Sequence, residues 1–307
     1  MNLTTRALLW TLACTPALLA PARTGAAAGP DYSKVEIKPT KITDSITMLA
    51  GAGGNMAVMS GADGTILIDD EFAELSDKIK AAVATVTDKP VRYLINTHWH
   101  GDHTGGNENF STGGALIVAH DNVRKQMSVE HFMKAFNSQV PPSPVGALPV
   151  ITFNDSLSFH LDGDDLHVFH VKNAHTDGDA IIHWAKADVV HMGDTFFNGF
   201  YPFIDVESGG SINGMIAADD LVLARIDDNT KVIPGHGPLG TKAQLKAFRD
   251  MLAGIRDGVA QQIKAGKSME ETVAAKPGAA FEAAWGGGFL KTDRFVAMVY
   301  EDLKSRK

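Results

Sequence analysis

From Ile42 onward, short apolar runs alternate with glycine-rich breaks. Ile42–Leu49, Met56–Ser60 and Thr65–Ile68 are rich in β-branched and apolar residues, and Ser60-Gly61-Ala62-Asp63-Gly64 reads as a turn between the last two. Helical spacing follows over Phe72–Val86, then a buried strand over Val91–Asn96, a strand over Ala115–Ala119 and a helix over Asn122–Phe136. Val140–Pro149 is proline-rich and reads as a loop. The second half repeats this order. Leu157–Leu161 and Leu166–Val171 form a hairpin around Asp162-Gly163-Asp164-Asp165, and Ala180–Trp184 and Asp188–Met192 are strands. Ser211–Ile226 is a helix, Val232–Ile233 a short strand, and Thr241–Lys264 and Lys291–Leu303 are closing helices. Strands, then strand–helix alternation, twice over, point to an α/β fold of two sheets packed face to face with helices outside.

The N-terminus departs from this pattern. Arg6 precedes an almost wholly apolar stretch, Ala7–Ala20, and Ala26-Ala27-Ala28 fits a small-residue cleavage site. Residues 1–28 therefore read as a signal peptide and 29–307 as a single domain, with 241–307 its C-terminal helices. The expected location is periplasmic or secreted. Removing residues 1–28 takes away two arginines and the single cysteine, Cys14. The mature chain then has no thiol, so neither a disulfide nor a cysteine metal site is available to it. No later run is long and apolar enough to span a bilayer, so no membrane contact is expected after cleavage.

The composition, 44% hydrophobic and 21% charged over 307 residues, excludes a disordered or fibrous chain. A formal net charge of -8 argues against a nucleic-acid surface. The expected partner is a small-molecule substrate.

The chemistry concentrates in the histidines. His98-Trp99-His100-Gly101-Asp102-His103 places three imidazoles and a carboxylate directly after a hydrophobic strand. On extended backbone His98 and His100 point the same way, and Gly101 permits a bend that turns Asp102 and His103 toward a neighbouring centre. Imidazole with carboxylate is a ligand set that suits a divalent metal such as zinc. His175, in Ala174-His175-Thr176, Asp194, in Gly193-Asp194-Thr195, and His236, in Gly235-His236-Gly237, are further metal-type residues at strand ends.

Taken in this order, the six-residue stretch with His175, Asp194 and His236 resembles the metallo-β-lactamase superfamily, over roughly Ile42 to Leu239. The resemblance implies an αββα sandwich of two mixed sheets with outer helices and two zinc ions per chain. One zinc would sit on His98, His100 and His175, the other on Asp102, His103 and His236, with Asp194 bridging them. Asp69 resembles the buried aspartate that supports the ligand loop, and would orient a ligand imidazole. Two metals about 3.5–4 Å apart share a hydroxide near neutral pH, and that hydroxide attacks a carbonyl or phosphoryl centre. Asp102 would both ligate and orient this nucleophile as the catalytic residue.

The substrate is less sharply marked. A large group of true β-lactamases of this superfamily has cysteine where Asp194 stands, and a substrate-holding lysine shortly after it. This chain has neither. Thr195-Phe196-Phe197-Asn198-Gly199-Phe200-Tyr201 is aromatic there instead, as in a pocket wall or ordinary core. The reading is an exported two-zinc hydrolase of an amide or ester bond, of β-lactam or lactone type. The alternatives are a thioesterase or phosphodiesterase on the same site, or a metal-binding helper of a periplasmic oxidation system. Of the other histidines, His120, His131, His160, His167, His170 and His183 read as surface or packing residues, and His191 as a support near the site. Trp99 reads as packing beside the site or lining its mouth.

Overall fold

In the computed structural model, residues 31–306 are described, and the signal-peptide reading falls outside them. The first sheet uses β1 (Lys38–Lys41), β2 (Ile46–Ala50), β3 (Met56–Gly61), β4 (Gly64–Ile68), β5 (Val91–Ile95) and β6 (Leu116–His120) in that order. A separate hairpin, β7 (His131–Met133) and β8 (Ser138–Val140), follows, and β9 (Ile151–Phe153) completes the first sheet beside β6. The second sheet runs in order through β10 (Ser156–Leu161), β11 (Asp164–His170), β12 (Ala180–Trp184), β13 (Val189–His191), β14 (Lys231–Ile233) and β15 (Gly240–Thr241). Both sheets are mixed. β1 to β4 pair antiparallel while β4, β5, β6 and β9 run parallel, and β13 pairs parallel with β14 in an otherwise antiparallel sheet.

The helices are α1 (Ser76–Ala84), α2 (Gly101–Thr104), α3 (Asn107–Thr112), α4 (Asp121–Met127), α5 (Ile212–Leu223), α6 (Lys242–Lys264), α7 (Met269–Ala274), α8 (Glu282–Trp285) and α9 (Thr292–Ser305). Period-two alternation assigns each strand residue to a layer. Ala57, Met59, Ile66 and Ile68 pack between the sheets against Val168, Ile182 and Trp184. Their neighbours Met56, Val58 and Leu67 face outward onto Leu75, Ile79 and Val83 beside and within α1. Ile181, Val190 and Val232 face the other way, onto Met215 of α5 and Phe248 of α6. The layers are therefore helix, sheet, sheet, helix. Tyr32–Lys307 forms one compact unit.

Three expectations need correction. The helix expected over Asn122–Phe136 ends at Met127, and His131 to Val140 form the β7–β8 hairpin. Asn137 turns that hairpin at φ 48°, and Phe132 points out while His131 and Met133 turn inward, an alternation no helix would give. The strand expected over Ile42–Leu49 begins only at Ile46, and β1 ahead of it left no apolar pattern, because all four of its residues are exposed at the sheet edge. His98 and His100 do not extend a strand: β5 stops at Ile95, and the ligand stretch bends into α2, where His100 is the residue before the first turn.

Candidate metal centre

Every predicted site residue lies at the same end of the two sheets, in the segment that follows a strand, with Asp102 and His103 in the short helix α2. His98, His100, Asp102 and His103 follow β5. His175 lies between β11 and β12, Asp194 follows β13 and His236 follows β14. The loops are held by buried side chains. Asn96 and Asn107 exchange amide hydrogen bonds of 3.0 and 2.9 Å behind the ligand stretch. Asp179 accepts from the backbone N–H and hydroxyl of Thr176, which fixes the turn after His175. Asn55 donates to the carbonyls of Pro234 and Gly237, and its backbone N–H donates to Gly235, so the first sheet grips the loop of His236. Gly235 itself packs so closely on Asp194 that a Cβ there would fall on the Asp194 Oδ1.

The seven residues form two groups. His98, His100, His175 and Asp194 bring their ligand atoms within 4.8 Å of one another, and so do Asp102, His103 and His236. Asp194 touches both groups. Its carboxylate lies 3.9 Å from His98 Nε2 and 3.6 Å from His175 Nε2, and 3.1 and 3.4 Å from the Nε2 atoms of His103 and His236. Asp102 Oδ2 stands 3.3 Å from His236 Nε2 and 3.8 Å from His103 Nε2.

The outer ring nitrogens decide what the inner ones offer. His103 Nδ1 donates to Asp69 Oδ2 at 2.8 Å, His175 Nδ1 to the Phe203 carbonyl at 2.8 Å, and His100 Nε2 to Asp205 Oδ2 at 3.0 Å. Thr97 spends its hydroxyl hydrogen on Asp69 Oδ2, so it accepts from His98 Nδ1 at 3.0 Å. Each of these four rings in its neutral form thus presents a lone pair inward. His175 Nε2 and His100 Nδ1 face each other at 2.9 Å with no proton between them in that tautomer, and His98 Nε2 has no hydrogen-bond partner among the described residues. Buried lone pairs converging with two carboxylates fit a divalent cation and little else.

The electrostatics agree. Burial draws His98 well below the ordinary imidazole range and His175 down to about 4. At His103 and His236 burial acts in the same sense, but the Asp194 charge, assisted by Asp102, overrides it and raises both, His236 to about 9. Asp194 itself is held far below a normal carboxylate, because His103, His236 and His98 outweigh its burial. The two carboxylates thus call for positive charge among the rings, which a divalent ion supplies.

Asp69 behaves as expected, orienting His103, and it also accepts from the Thr97 N–H at 2.8 Å. His191 supports the site from behind, donating from Nε2 to the Asn55 carbonyl at 3.0 Å and accepting from the Gly193 N–H. Of the two roles expected of it, Trp99 takes the first, packing beside the site, and it does not line the cavity over the ligands. It packs with Ala119 and Val123, and its ring stands 4.8 Å from His100 and 4.5 Å from His131. The aromatic run divides: Phe196 and Tyr201 are core, while Phe197 and Phe200 line the cavity over the ligands. The sequence reading missed Asp205 and Phe203, which orient ligand rings from the loop before α5, and Asn55. Only the aspartate carried a residue-type signal, and it lay outside any motif.

Comparison with known proteins bears on this arrangement. The sequence model of the metallo-beta-lactamase superfamily matches residues 51–242. A hydroxyacylglutathione hydrolase of Polaromonas sp. is 30% identical over 159 residues, covering 50% of this chain and 52% of its own length. The alpha subunit of a 2,4-dinitroanisole O-demethylase of Nocardioides sp. is 23% identical over 171 residues, 53% of this chain and 49% of its own length. The chain spans about half the length of the curated relatives it matches. Among solved structures, a metallo-beta-lactamase from Pontibacter korlensis superposes with a TM-score of 0.59 at 20% identity, over 71% of this chain and 99% of that one. An inverting sec-alkylsulfatase from Pseudomonas sp. superposes with a TM-score of 0.65 at 16% identity, over 86% of this chain and 50% of that one. These two likenesses show the fold.

Proposed function

Because the chain belongs to the metallo-β-lactamase superfamily and carries two groups of residues that could hold a metal ion, we propose that it is a two-zinc hydrolase that opens an uncharged lactone, ester or cyclic amide with water. Its ligands are His98, His100 and His175 for one ion and Asp102, His103 and His236 for the other, with Asp194 shared. The observation that carries this reading is the Asp194 carboxylate, which stands within 3.9 Å of imidazoles from both groups. Two divalent ions held there would supply Lewis-acid activation of water and of the substrate carbonyl.

The chain's own residues do the rest. Asp102 is the more open of the two carboxylates, with its side chain 31% exposed against 5% for Asp194. It lines the cavity and can accept a hydrogen bond from the attacking water and orient it, staying ionised because His103 and His236 outweigh its burial and hold its carboxyl well below the usual range. Asp69, Asp205 and the Phe203 carbonyl hold three ligand rings in the required tautomer, so little reorganisation is needed during reaction. Among the described residues no lysine or arginine lines the cavity over the ligands, so a substrate carboxylate finds no lysine or arginine counter-ion among them. This favours lactones and neutral esters over acidic β-lactams. A second reading, hydrolysis of an acyl-glutathione thioester, draws on the relatives of that name.

Purified protein loaded with zinc tests the proposal against lactones, neutral esters, β-lactams, acyl-glutathione and phosphodiesters, with metal content measured alongside. The expected result is about two zinc ions per chain and turnover of lactones first. Full activity in a chelated, metal-free sample would overturn it. We propose also that residues 1–28 are removed on export to the periplasm. N-terminal sequencing that found an intact Met1, or a lipid on Cys14, would refute this.

A further inference from the structure

We infer that the substrate carries an unbranched alkyl tail, which leaves the ligand cluster through an aromatic throat and ends in a second cavity beyond it. This deepens the lactone and ester reading and rests on it. Two cavities lie back to back. The first, of about 420 Å³, opens over His100, Asp102, Asp194 and His236. The second, of about 520 Å³, is walled by Ile204, Met269, Leu290, Ala297 and Met298. They share Phe136 and Phe203, whose rings pack against each other with centroids 5.1 Å apart at 60°, so the tail passes over the edge of this pair and not between its rings.

The first cavity takes aromatic side chains from three separate segments: Phe197 and Phe200 after β13, Phe289 after α8, and Phe136 from the β7–β8 hairpin. Phe136 and Phe289 are 53% and 57% exposed. Large rings left in water at the mouth of a ligand cavity mark a surface that apolar material covers. Of the charged side chains around the second cavity, Lys134, paired with Glu207, Arg294 and Glu301 reach solvent, and the buried Asp205 carboxylate is engaged by His100, while the wall offers two methionines, which adapt to irregular apolar shapes. A thin, flexible chain that crosses the Phe136–Phe203 pair and ends against Met269, Leu290 and Met298 fits this arrangement better than a bulky polar group does.

The test uses γ-lactones with side chains from methyl to decyl, on the zinc-loaded protein and two variants. Ala297→Trp fills the second cavity, and Phe136→Ala opens the throat. Both positions are at least partly exposed, so neither change cuts into the core. In the parent, kcat/KM rises with tail length by up to roughly fourfold per methylene. Ala297→Trp loses that rise for the longest tails and leaves the methyl compound unchanged. Phe136→Ala lowers activity on tails that end in the first cavity and spares the longest. A second readout does not need turnover: displacement of the neutral fluorophore N-phenylnaphthylamine by hexanol and dodecanol. The parent prefers dodecanol, and Ala297→Trp loses the preference. Binding preference without any lactone turnover would defeat the hydrolase reading and leave the tail site standing. Turnover that is flat in tail length, or a length dependence that Ala297→Trp does not alter, would overturn the tail site.

Discussion

Asp205 illustrates how much of a metal site lies behind its ligands. It accepts from His100 Nε2 at 3.0 Å, and that bond turns His100 so that Nδ1 points inward. Burial would raise its carboxyl, yet the hydrogen bond from His100 holds it down at about 2. Asp205→Ala should weaken the ion on His98, His100 and His175 by about 10–100-fold and leave the other ion unchanged, with Asp205→Asn intermediate because its amide oxygen still accepts. Titration against a competing chelator reads both affinities, and equal metal binding in parent and Asp205→Ala would show that His100 needs no support. Asp194 is the complementary case. Asp194→Ala should lose the second ion, whereas Asp194→Cys should keep two, since zinc accepts a thiolate. Gly235→Ala should imitate Asp194→Ala without touching a ligand, because its Cβ would fall on the Asp194 Oδ1. If Gly235→Ala binds two ions as tightly as the parent, the carboxylate does not need its observed position.

At the scale of elements, α5 carries a charge where its pattern calls for a hydrocarbon. Ile212, Met215, Ile216 and Val222 mark its buried face, and Asp219 lies on the same face. Asp219 is fully buried, and neither of its oxygens has a hydrogen-bond partner among the described residues. Burial, with Asp220 adding, raises its pKa well above the carboxylate range. The sign of the consequence follows. In the unfolded chain the group ionises near pH 4, about its ordinary value; in the folded chain it holds its proton to a much higher pH. The folded state therefore loses stability as pH rises above that value. Asp219→Asn removes this pH-dependent part, so its Tm advantage over the parent should grow between pH 5 and pH 8. A constant difference across that range would show that Asp219 is ionised in the fold. Such a residue also shows where a sequence pattern misleads. β11 and α6 were legible because burial sorted their residues by polarity, and β3 and β4 because they are apolar runs buried on both faces. β1 was not, being exposed throughout, and the β7–β8 hairpin was hidden by spacing that suits a helix until Asn137 breaks it. The ligands were legible because imidazoles and carboxylates cluster in motifs. Asn55, Asp205 and the Phe203 carbonyl were not, since backbone acceptors and single amides leave no pattern in sequence.

For the whole molecule, the site is also a joint between the two sheets. The first sheet brings His98, His100, Asp102 and His103, the second brings His175, Asp194 and His236, and each group in which the ligand atoms meet draws on both. Backbone and side-chain bonds already cross there: the Ala180 N–H donates to the Thr97 carbonyl, and Asn55 reaches Pro234 and Gly237. Without an ion, the joint holds inward-facing lone pairs and a bridging carboxylate, an arrangement that opposes the packing around it. An ion bound only by the folded arrangement adds its binding free energy to folding. Chelation should therefore lower Tm, and zinc should restore it. Above saturation, two independent sites should add about 2.8 kcal/mol of stability per tenfold rise in free zinc, and one site half of that. Thermal unfolding over buffered zinc concentrations measures the slope. The one-site slope in Asp194→Ala and the two-site slope in the parent would show that both ions bind only the folded state. A Tm that does not respond to chelation would mean that the sheets hold this geometry unaided and that the cluster binds no ion tightly.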